Sequence, residues 1–515
     1  MVKASVLEFI NGACCASLAE IMKRTGLSIR IFFAALVTLA AGHGSERPNI
    51  LLIVADDQGY ADFGFQKMRS DIHTPHLDRL ASEGTALTQA YATSAICSPS
   101  RMGLTSGRYQ ARFGAFHYGG GRGMSTEEVT QTLPARLQRA GYRTAHIGKH
   151  HFVGNRGSEP DDHAFPLGLG YDRFFGAIGG RIHYLYHSEA KRSQYSHRMA
   201  MGPMWDDDQI VEGWEGFTTD DWTDEAIEFI GGPSERPFFL QMAYNAVHNF
   251  AWQLPPEELE KRGLPSFEDL EYPEGLNRAE ATKVYNEWYD GVHRHSLPEG
   301  RGWYLAQLEL MDAAVGRILD HLKENSMEEN TIVIYTVDNG GCTSDWAENG
   351  PLQGSKYHLF EGGTLTPTLI RYPNHVPEGK VNDELIFSHL DIAPTLLDWC
   401  GISYETNAFD GVTQTAPLSG KRSKPNSDRI LHWDLGFQWS VRTGDWKLIV
   451  TENAERAANL AKKEALYVAQ GVHLYNLSKD PGETSNVSNQ YPEVVKRLRR
   501  LHDDWRSMVD ADGRR

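Results

Sequence analysis

Two oxygen-rich pairs and one cysteine carry most of the chemistry open to this sequence. Asp56-Asp57 follows the apolar run NILLIVA at 49–55, and Asp338-Asn339 follows TIVIYTV at 331–337. Either pair alone reads equally well as a helix cap or a solvated turn, since Asp-Asn-Gly is a common turn sequence. Together they offer three carboxylates and an amide oxygen. That is a hard donor set, suited to calcium or magnesium and poor for zinc or copper. Cys97 opens the segment Cys97-Ser98-Pro99-Ser100-Arg101, with proline just inside an expected helix start and arginine four residues on. The residue types leave two readings for Cys97. It is either a buried cysteine ahead of a helix, or a thiolate nucleophile whose pKa is lowered at a helix N-terminus. Further polar clusters follow short apolar runs: Lys149-His150-His151 after RTAHIG, and Asn245 and His248 after PFFLQMAY.

The elements that must position these groups are legible from periodicity. Continuous apolar runs such as NILLIVA and TIVIYTV read as fully buried strands of a parallel sheet. Helical patterns lie between them. One covers 132–140, and another covers 304–325 with Leu308, Met311, Val315, Ile318, Leu319 and Leu322 at helical spacing. Strands alternating with helices predict an α/β fold, a mostly parallel central sheet with helices on both faces. Ligands of such sheets collect beyond the carboxyl ends of strands. The polar clusters fall at four such ends. Residues 188–300 are rich in Trp, Asp, Glu and Pro, and read as long loops over one face. From about residue 392 the texture changes to a helix, short strand-like runs at 429–433, 439–442 and 446–450, and a final helix near 492–508. These predict a smaller C-terminal α+β subdomain with an antiparallel sheet, over 401–515, after a catalytic domain over 46–400.

Composition narrows the function classes. Hydrophobic residues make up 40% of the 515, enough for a sizeable core, so bulk disorder is excluded. A net charge of −17 argues against a nucleic-acid binder. It leaves room for an anionic small substrate held in a local basic pocket. Five cysteines are too few for a disulfide-built scaffold. Near the start, IFFAALVTLAA at 31–41 is preceded by Lys23, Arg24 and Arg30 and followed by Gly42. It is too short to span a bilayer and has the three-part pattern of a secretory signal peptide. The expected signal peptide is 22–42, starting at Met22, with 1–21 a non-native extension. With no second apolar run of membrane length, the expected mature chain is exported, periplasmic or secreted.

Cys97-Ser98-Pro99-Ser100-Arg101, continued to Gly107-Arg108, resembles the signature of type I, formylglycine-dependent sulfatases of the alkaline-phosphatase-like superfamily. Thr105-Ser106-Gly107-Arg108 stands where Leu-Thr-Gly-Arg is usual. Other segments match in order. NILLIVADDQGY resembles the first metal strand, and IVIYTVDNGG the second. GYRTAHIGKHH resembles a Gly-Lys-Trp-His motif, with His150 in place of the Trp. AYNAVHNF resembles the strand end that supplies an active-site His, with Val247 where Pro is usual. GSKYHLFEGG resembles a Lys-x4-Glu-Gly-Gly segment, giving Lys356. SVRTGDWKLI and HLYNLSKDPGET resemble the C-terminal subdomain, so the resemblance runs from about 48 to 505.

This resemblance implies a sulfuric ester hydrolase in which a maturation enzyme converts Cys97 to formylglycine. It implies one divalent cation, calcium, held by Asp56, Asp57, Asp338, Asn339 and the modified Cys97. It assigns Arg101 and Lys149 to the hydrate and the sulfate, and His151 to the elimination step. His248 and Lys356 contact sulfate and protonate the leaving oxygen. The segment 171–186 resembles a loop of carbohydrate-acting sulfatases, so Arg181, His183 and His187 are candidate sugar contacts, with His150 in the pocket wall. Ordinary loop surface is the alternative for them. The expected substrate is a sulfated carbohydrate, in monosaccharide or polysaccharide form. An arylsulfatase, a phosphonate or phosphodiester hydrolase of the same superfamily, and an inert exported glycan-binding protein are the rival readings.

Overall fold

The computed structural model describes residues 47–513 except 118–120, 153–159, 181, 187–202, 268–275, 278–279, 281–282, 285–286, 289–296, 421–427, 454 and 457–469. The expected signal peptide and N-terminal extension lie outside the described residues.

Four strands carry the polar clusters: β1 (Asn49–Ala55), β2 (Arg143–Lys149), β3 (Phe238–Ala243) and β4 (Thr331–Val337). They are neighbours in the order β4-β1-β3-β2 within a 10-stranded sheet. All three pairings between them are parallel, so their carboxyl ends share one edge. Beyond β2 the sheet continues with Arg173–Ala177, which is parallel, and then an antiparallel hairpin. Beyond β4 it continues with Thr368–Arg371, antiparallel to β4, and then Thr85–Leu87, antiparallel to Thr368–Arg371.

Side chains alternate across a strand, and on β1 that alternation divides two cores. Leu51, Ile53 and Ala55 pack into one apolar cluster with Leu77, Trp222, Leu308, Met311 and Leu322. These come from the helices Pro75–Ser82, Thr218–Gly231 and Gly300–Glu324. Ile50, Leu52 and Val54 pack into the other with Met102, Leu137, Ile392 and Leu396. Helices therefore cover both faces, as the alternating sequence pattern requires, and β1 reads as a near-continuous hydrophobic run because neither face meets water. The helix over Thr218–Gly231 falls inside a stretch that reads as loop from composition. Its acidic residues mask an apolar stripe of Trp222, Ala226 and Ile230, spaced four apart and buried.

Toward the C-terminus a separate sheet runs in the order Ile430–Asp434, Gln438–Thr443, Trp446–Thr451, Val472–Asn476, with every pairing antiparallel. The last of these strands is not apparent from its local pattern. The helix Pro492–Gly513 follows. Lys447, fully buried, ties this sheet to the segment that leads into the strand Thr368–Arg371. Its Nζ donates to Glu361 Oε1 at 2.7 Å and lies 3.2 Å from Glu483 Oε1. Glu361 also accepts from the Tyr91 hydroxyl at 2.6 Å. Burial, partly offset by Lys447, pushes the Glu483 carboxyl up to about 7. On the outer side, His502 stacks on Trp439 at 4.0 Å and His432 on Trp505 at 4.8 Å.

These contacts set the stability expected of two variants. Lys447→Met leaves two buried carboxylates without their cation, so it is expected to destabilise the protein by about 3–5 kcal/mol in urea unfolding. Retained stability would show that the lysine does not hold these carboxylates together. Burial also pushes His432 and His502 down to about 3, well below the ordinary histidine value. Between that ordinary value and about 3 the unfolded chain binds protons that the folded chain does not, so stability falls as pH falls through this window. The loss in urea midpoint between pH 7 and pH 5 is expected to be smaller in His432→Phe. An undiminished loss would contradict this.

Candidate active site

The ends of β1 and β4 are tied together by their backbones. The Asp338 N–H donates to the Ala55 carbonyl at 3.0 Å. The Asp56 N–H donates to Ala246 O at 2.8 Å, and the Val247 N–H returns a bond to Asp56 O at 2.7 Å. The segment after β3, which carries His248, is thus stitched to the acidic end of β1. Asp57 takes a left-handed backbone, φ 61°, turning the chain at that edge; aspartate tolerates this conformation better than most residues. At the end of β2, Gly148 is required by space. A Cβ there would lie 2.0 Å from the Ala243 carbonyl oxygen, so only glycine lets β2 approach β3 this closely.

Cys97 is the first residue of helix α1 (Cys97–Ser106), every residue of which is buried. Its helical spacing places Arg101 one turn further on. Arg101 Nε donates to Asp338 Oδ2 at 2.8 Å, Nη1 donates to the Lys149 carbonyl at 3.0 Å, and Nη2 lies 3.6 Å from Asp56 Oδ2. Lys149 Nζ pairs with Asp56 Oδ2. Lys356 Nζ donates to Asp57 Oδ2 at 2.7 Å and sits 2.9 Å from His248 Nε2, which is 3.4 Å from the same Asp57 oxygen. The Asn339 side-chain amide donates to Asp57 Oδ1 at 2.7 Å and to Gly340 O at 2.9 Å. Ligand atoms of Asp56, Asp57, Cys97 and His248 all lie within 4.8 Å of one another. The structure therefore gathers Cys97, Arg101, Lys149, His248, Lys356, Asp56, Asp57, Asp338 and Asn339 at one strand edge.

These contacts fit a hard cation. Asp56 Oδ1 and Asn339 Oδ1 are buried oxygens without a hydrogen-bond partner among the described residues. The amide nitrogen of Asn339 is spent on protein acceptors, so its oxygen is the end left to bind. Burial, with the charge of Asp338, pushes the Asp56 carboxyl up to about 8, and burial also raises Asp57. Burial acts on Asp338 too, but Arg101, Lys149 and Lys356 outweigh it and hold that carboxyl below its ordinary value. A divalent ion bound to Asp56 and Asp57 would offset the cost of burying their charge.

The thiol behaves differently from a nucleophile at a helix N-terminus. Burial pushes Cys97 up to about 11, against the pull of Lys356 and Lys149. As cysteine it is protonated at neutral pH, and the open reading of a low-pKa thiolate fails on desolvation. His151 has a half-buried ring in a left-handed residue, φ 49°. Burial first, then the charges of Lys149, Arg101 and Lys356, hold its imidazole well below the usual range, so it is neutral. Its Nδ1 has no hydrogen-bond partner among the described residues.

Two candidate sugar contacts are bonded within the protein. His150 is buried, with Nε2 bonded to the Ala164 carbonyl at 3.0 Å and its ring stacked on Phe152 at 4.3 Å. His183 is buried too, with Nδ1 2.7 Å from the Gln253 amide nitrogen and its ring tilted against Phe250. Both rings are turned to protein partners. Arg181 and His187 lie outside the described residues. Glu361, part of the segment that supplies Lys356, belongs to the Lys447 network instead. Two groups near the cluster escape a reading by sequence. His146 Nε2 lies 3.2 Å from the Lys149 carbonyl, sharing that acceptor with Arg101. Cys342 and Asp345 bring ligand atoms within 4.8 Å of one another and of Asp57. Neither carries a local signal beyond being polar near a strand end.

Residues 48–402 match the family model "Sulfatase", and residues 354–507 match "N-sulphoglucosamine sulphohydrolase, C-terminal". The N-acetylgalactosamine-6-O-sulfatase of Bacteroides thetaiotaomicron is 28% identical, covering 89% of this chain and 93% of its own. Arylsulfatase A of Homo sapiens is 29% identical, covering 90% of this chain and 89% of its own. Among solved structures, Ps i-CgsB in complex with k-i-k-neocarrahexaose superimposes with a TM-score of 0.71 at 26% identity, covering 90% of this chain and 93% of that one.

The cation fit is testable without turnover. Calcium added to chelator-stripped protein is expected to raise Tm, by the equivalent of about 2.7 kcal/mol at a hundredfold excess over Kd. Asn339→Ala should shrink the shift. An unchanged Tm in the wild type would remove the hard-cation assignment.

Proposed function

The chain belongs to the sulfatase family and is a sulfuric ester hydrolase, and from that premise we propose that it removes sulfate from a sulfated carbohydrate through a formylglycine at position 97. The observation that carries this reading is the convergence of Cys97 with Asp56 and Asp57, flanked by buried Arg101, Lys149 and Lys356. A buried thiol raised to about 11 is a poor nucleophile, which favours an oxidised residue at this position. The names of two relatives support a sugar substrate: one acts on N-acetylgalactosamine 6-O-sulfate, and the other is solved with a neocarrahexaose.

A sulfate monoester is anionic and repels a nucleophile, and its transition state adds charge to the sulfuryl oxygens and the leaving oxygen. A calcium ion held by Asp56, Asp57, Asp338, Asn339 and residue 97 would act as a Lewis acid on the sulfate. Arg101, Lys149 and Lys356 supply fixed positive charge beside it, in a site with little water to screen them. Residue 97, once converted to a hydrated aldehyde, would supply the nucleophile: one hydroxyl would attack sulfur, its proton passing to Asp338, while the alcohol departs with the electrons of the S–O bond. Lys356 and His248, 2.9 Å apart, are the groups placed to protonate that leaving oxygen. Neutral His151 would accept the proton of the second hydroxyl as sulfate is expelled and the aldehyde restored. A serine at this position would stop at the sulfate ester, having no second hydroxyl to expel it.

The pattern at 22–42 supports export to the periplasm or beyond. No helix among the described residues is long and apolar enough to cross a membrane.

Peptide mass spectrometry of protein made with a maturation enzyme is expected to show that residue 97 has lost the elements of hydrogen sulfide and gained one oxygen. Cys97→Ala should lower sulfate release from sulfated monosaccharides by on the order of 10⁴-fold or more. Full activity from an unconverted thiol, or substantial turnover by Cys97→Ala, would overturn the reading.

A further inference from the structure

His248 is held in the pocket by its backbone as well as by its ring. The turn from Asn245 to His248 closes on itself, the His248 N–H donating to Asn245 O at 2.9 Å. Its middle is stitched to Asp56 from one side. From the other side comes Tyr184, more than 60 residues away in sequence and fully buried. The Tyr184 hydroxyl lies 3.1 Å from Asn245 O and 3.1 Å from His248 O. One proton is thus shared between the two carbonyls that bound the turn, a three-centre bond. Burial holds the phenol well above its usual range, so the donor is present at any working pH.

The same segment grips this region twice more. The Tyr184 N–H donates to Gln253 Oε1 at 2.9 Å, and Gln253 meets His183 at 2.7 Å. Asn245 accepts from the Thr218 hydroxyl at 3.0 Å. A loop whose residues read as sugar contacts by sequence therefore acts, at Tyr184, as a clasp on the turn that presents His248.

We infer that Tyr184 is a positioning residue for proton donation to the leaving oxygen, acting through the His248 backbone; this rests on the reading of His248 as a proton donor. The clasp has a specific consequence. A displaced acid harms substrates whose leaving oxygen needs a proton and spares those whose leaving group departs as a stable anion. A merely structural tyrosine would harm both alike.

The test compares kcat/KM of matured wild type, Tyr184→Phe and His248→Ala across phenyl sulfates graded from para-nitro to para-methoxy. Tyr184→Phe keeps the ring and its packing and removes only the donor. It is expected to lose roughly 10-fold with the para-methoxyphenyl ester and less than about 2-fold with the para-nitrophenyl ester. His248→Ala should show a steeper version of the same dependence. A uniform loss, or none, in Tyr184→Phe beside a steep His248→Ala overturns the positioning inference alone. A flat His248→Ala overturns the proton-donor reading beneath it. Should Tyr184→Phe fail to fold, Thr218→Val, which loosens the same turn through Asn245, is read in the same assay; a shallower slope of the same sign supports the clasp, and a flat response rejects it.

Discussion

Three buried cations face three buried carboxylates at one edge of the sheet, and the rest of the structure serves that balance. Arg101, Lys149 and Lys356 each pair with at least one of Asp56, Asp57 and Asp338. Taking any one of these charges out of water unpaired would cost several kcal/mol, so none of them can be placed without the others. The matched set leaves room for one more pair of opposite charges: a hard cation on the unsatisfied oxygens of Asp56 and Asn339, and an anion against the lysines and arginine. A local positive site can thus exist in a chain whose net charge is −17.

The scaffold explains how such a set is assembled. Parallel pairing sends the ends of β1, β2, β3 and β4 to the same edge, so residues separated by nearly 300 positions meet there. Helix α1 adds Cys97 and Arg101 from outside the sheet, and its complete burial leaves their side chains few conformations. The segment carrying Lys356 is held at both ends. The Lys356 N–H donates to Gly341 O at 3.1 Å, and five residues on, Glu361 is locked to Lys447 of the C-terminal sheet. That small sheet supplies none of the nine gathered side chains, yet it fixes the strip of chain from which one of the cluster's cations projects.

The same physics gives groups of the same type different protonation behaviour. Cys97 is a poor thiolate because burial raises its pKa more than the two lysines lower it. His151, His150 and His183 differ in what their rings meet. The first feels the charges of Lys149, Arg101 and Lys356 together, whereas the other two bond to Ala164 and Gln253 and pack on phenylalanine rings.

By itself the sequence determined the four central strands, three strands of the C-terminal sheet, the helices near 304–325 and 492–508 and the polar clusters at four strand ends, because periodicity and turn chemistry are set by near neighbours along the chain. Cys97, Arg101 and the Asp56-Asp57 pair were legible for the same reason. The antiparallel strand Val472–Asn476 and the acidic helix Thr218–Gly231 were not, since each owes its stability to a partner surface rather than to its own pattern. Only the tertiary structure decided which charges pair, which histidines turn inward, that Glu361 braces a second sheet, and that Tyr184 clasps the turn of His248. Those outcomes depend on desolvation and on contacts between segments far apart in the chain, and a residue's energy in such a place is fixed by neighbours that its own stretch of sequence does not contain.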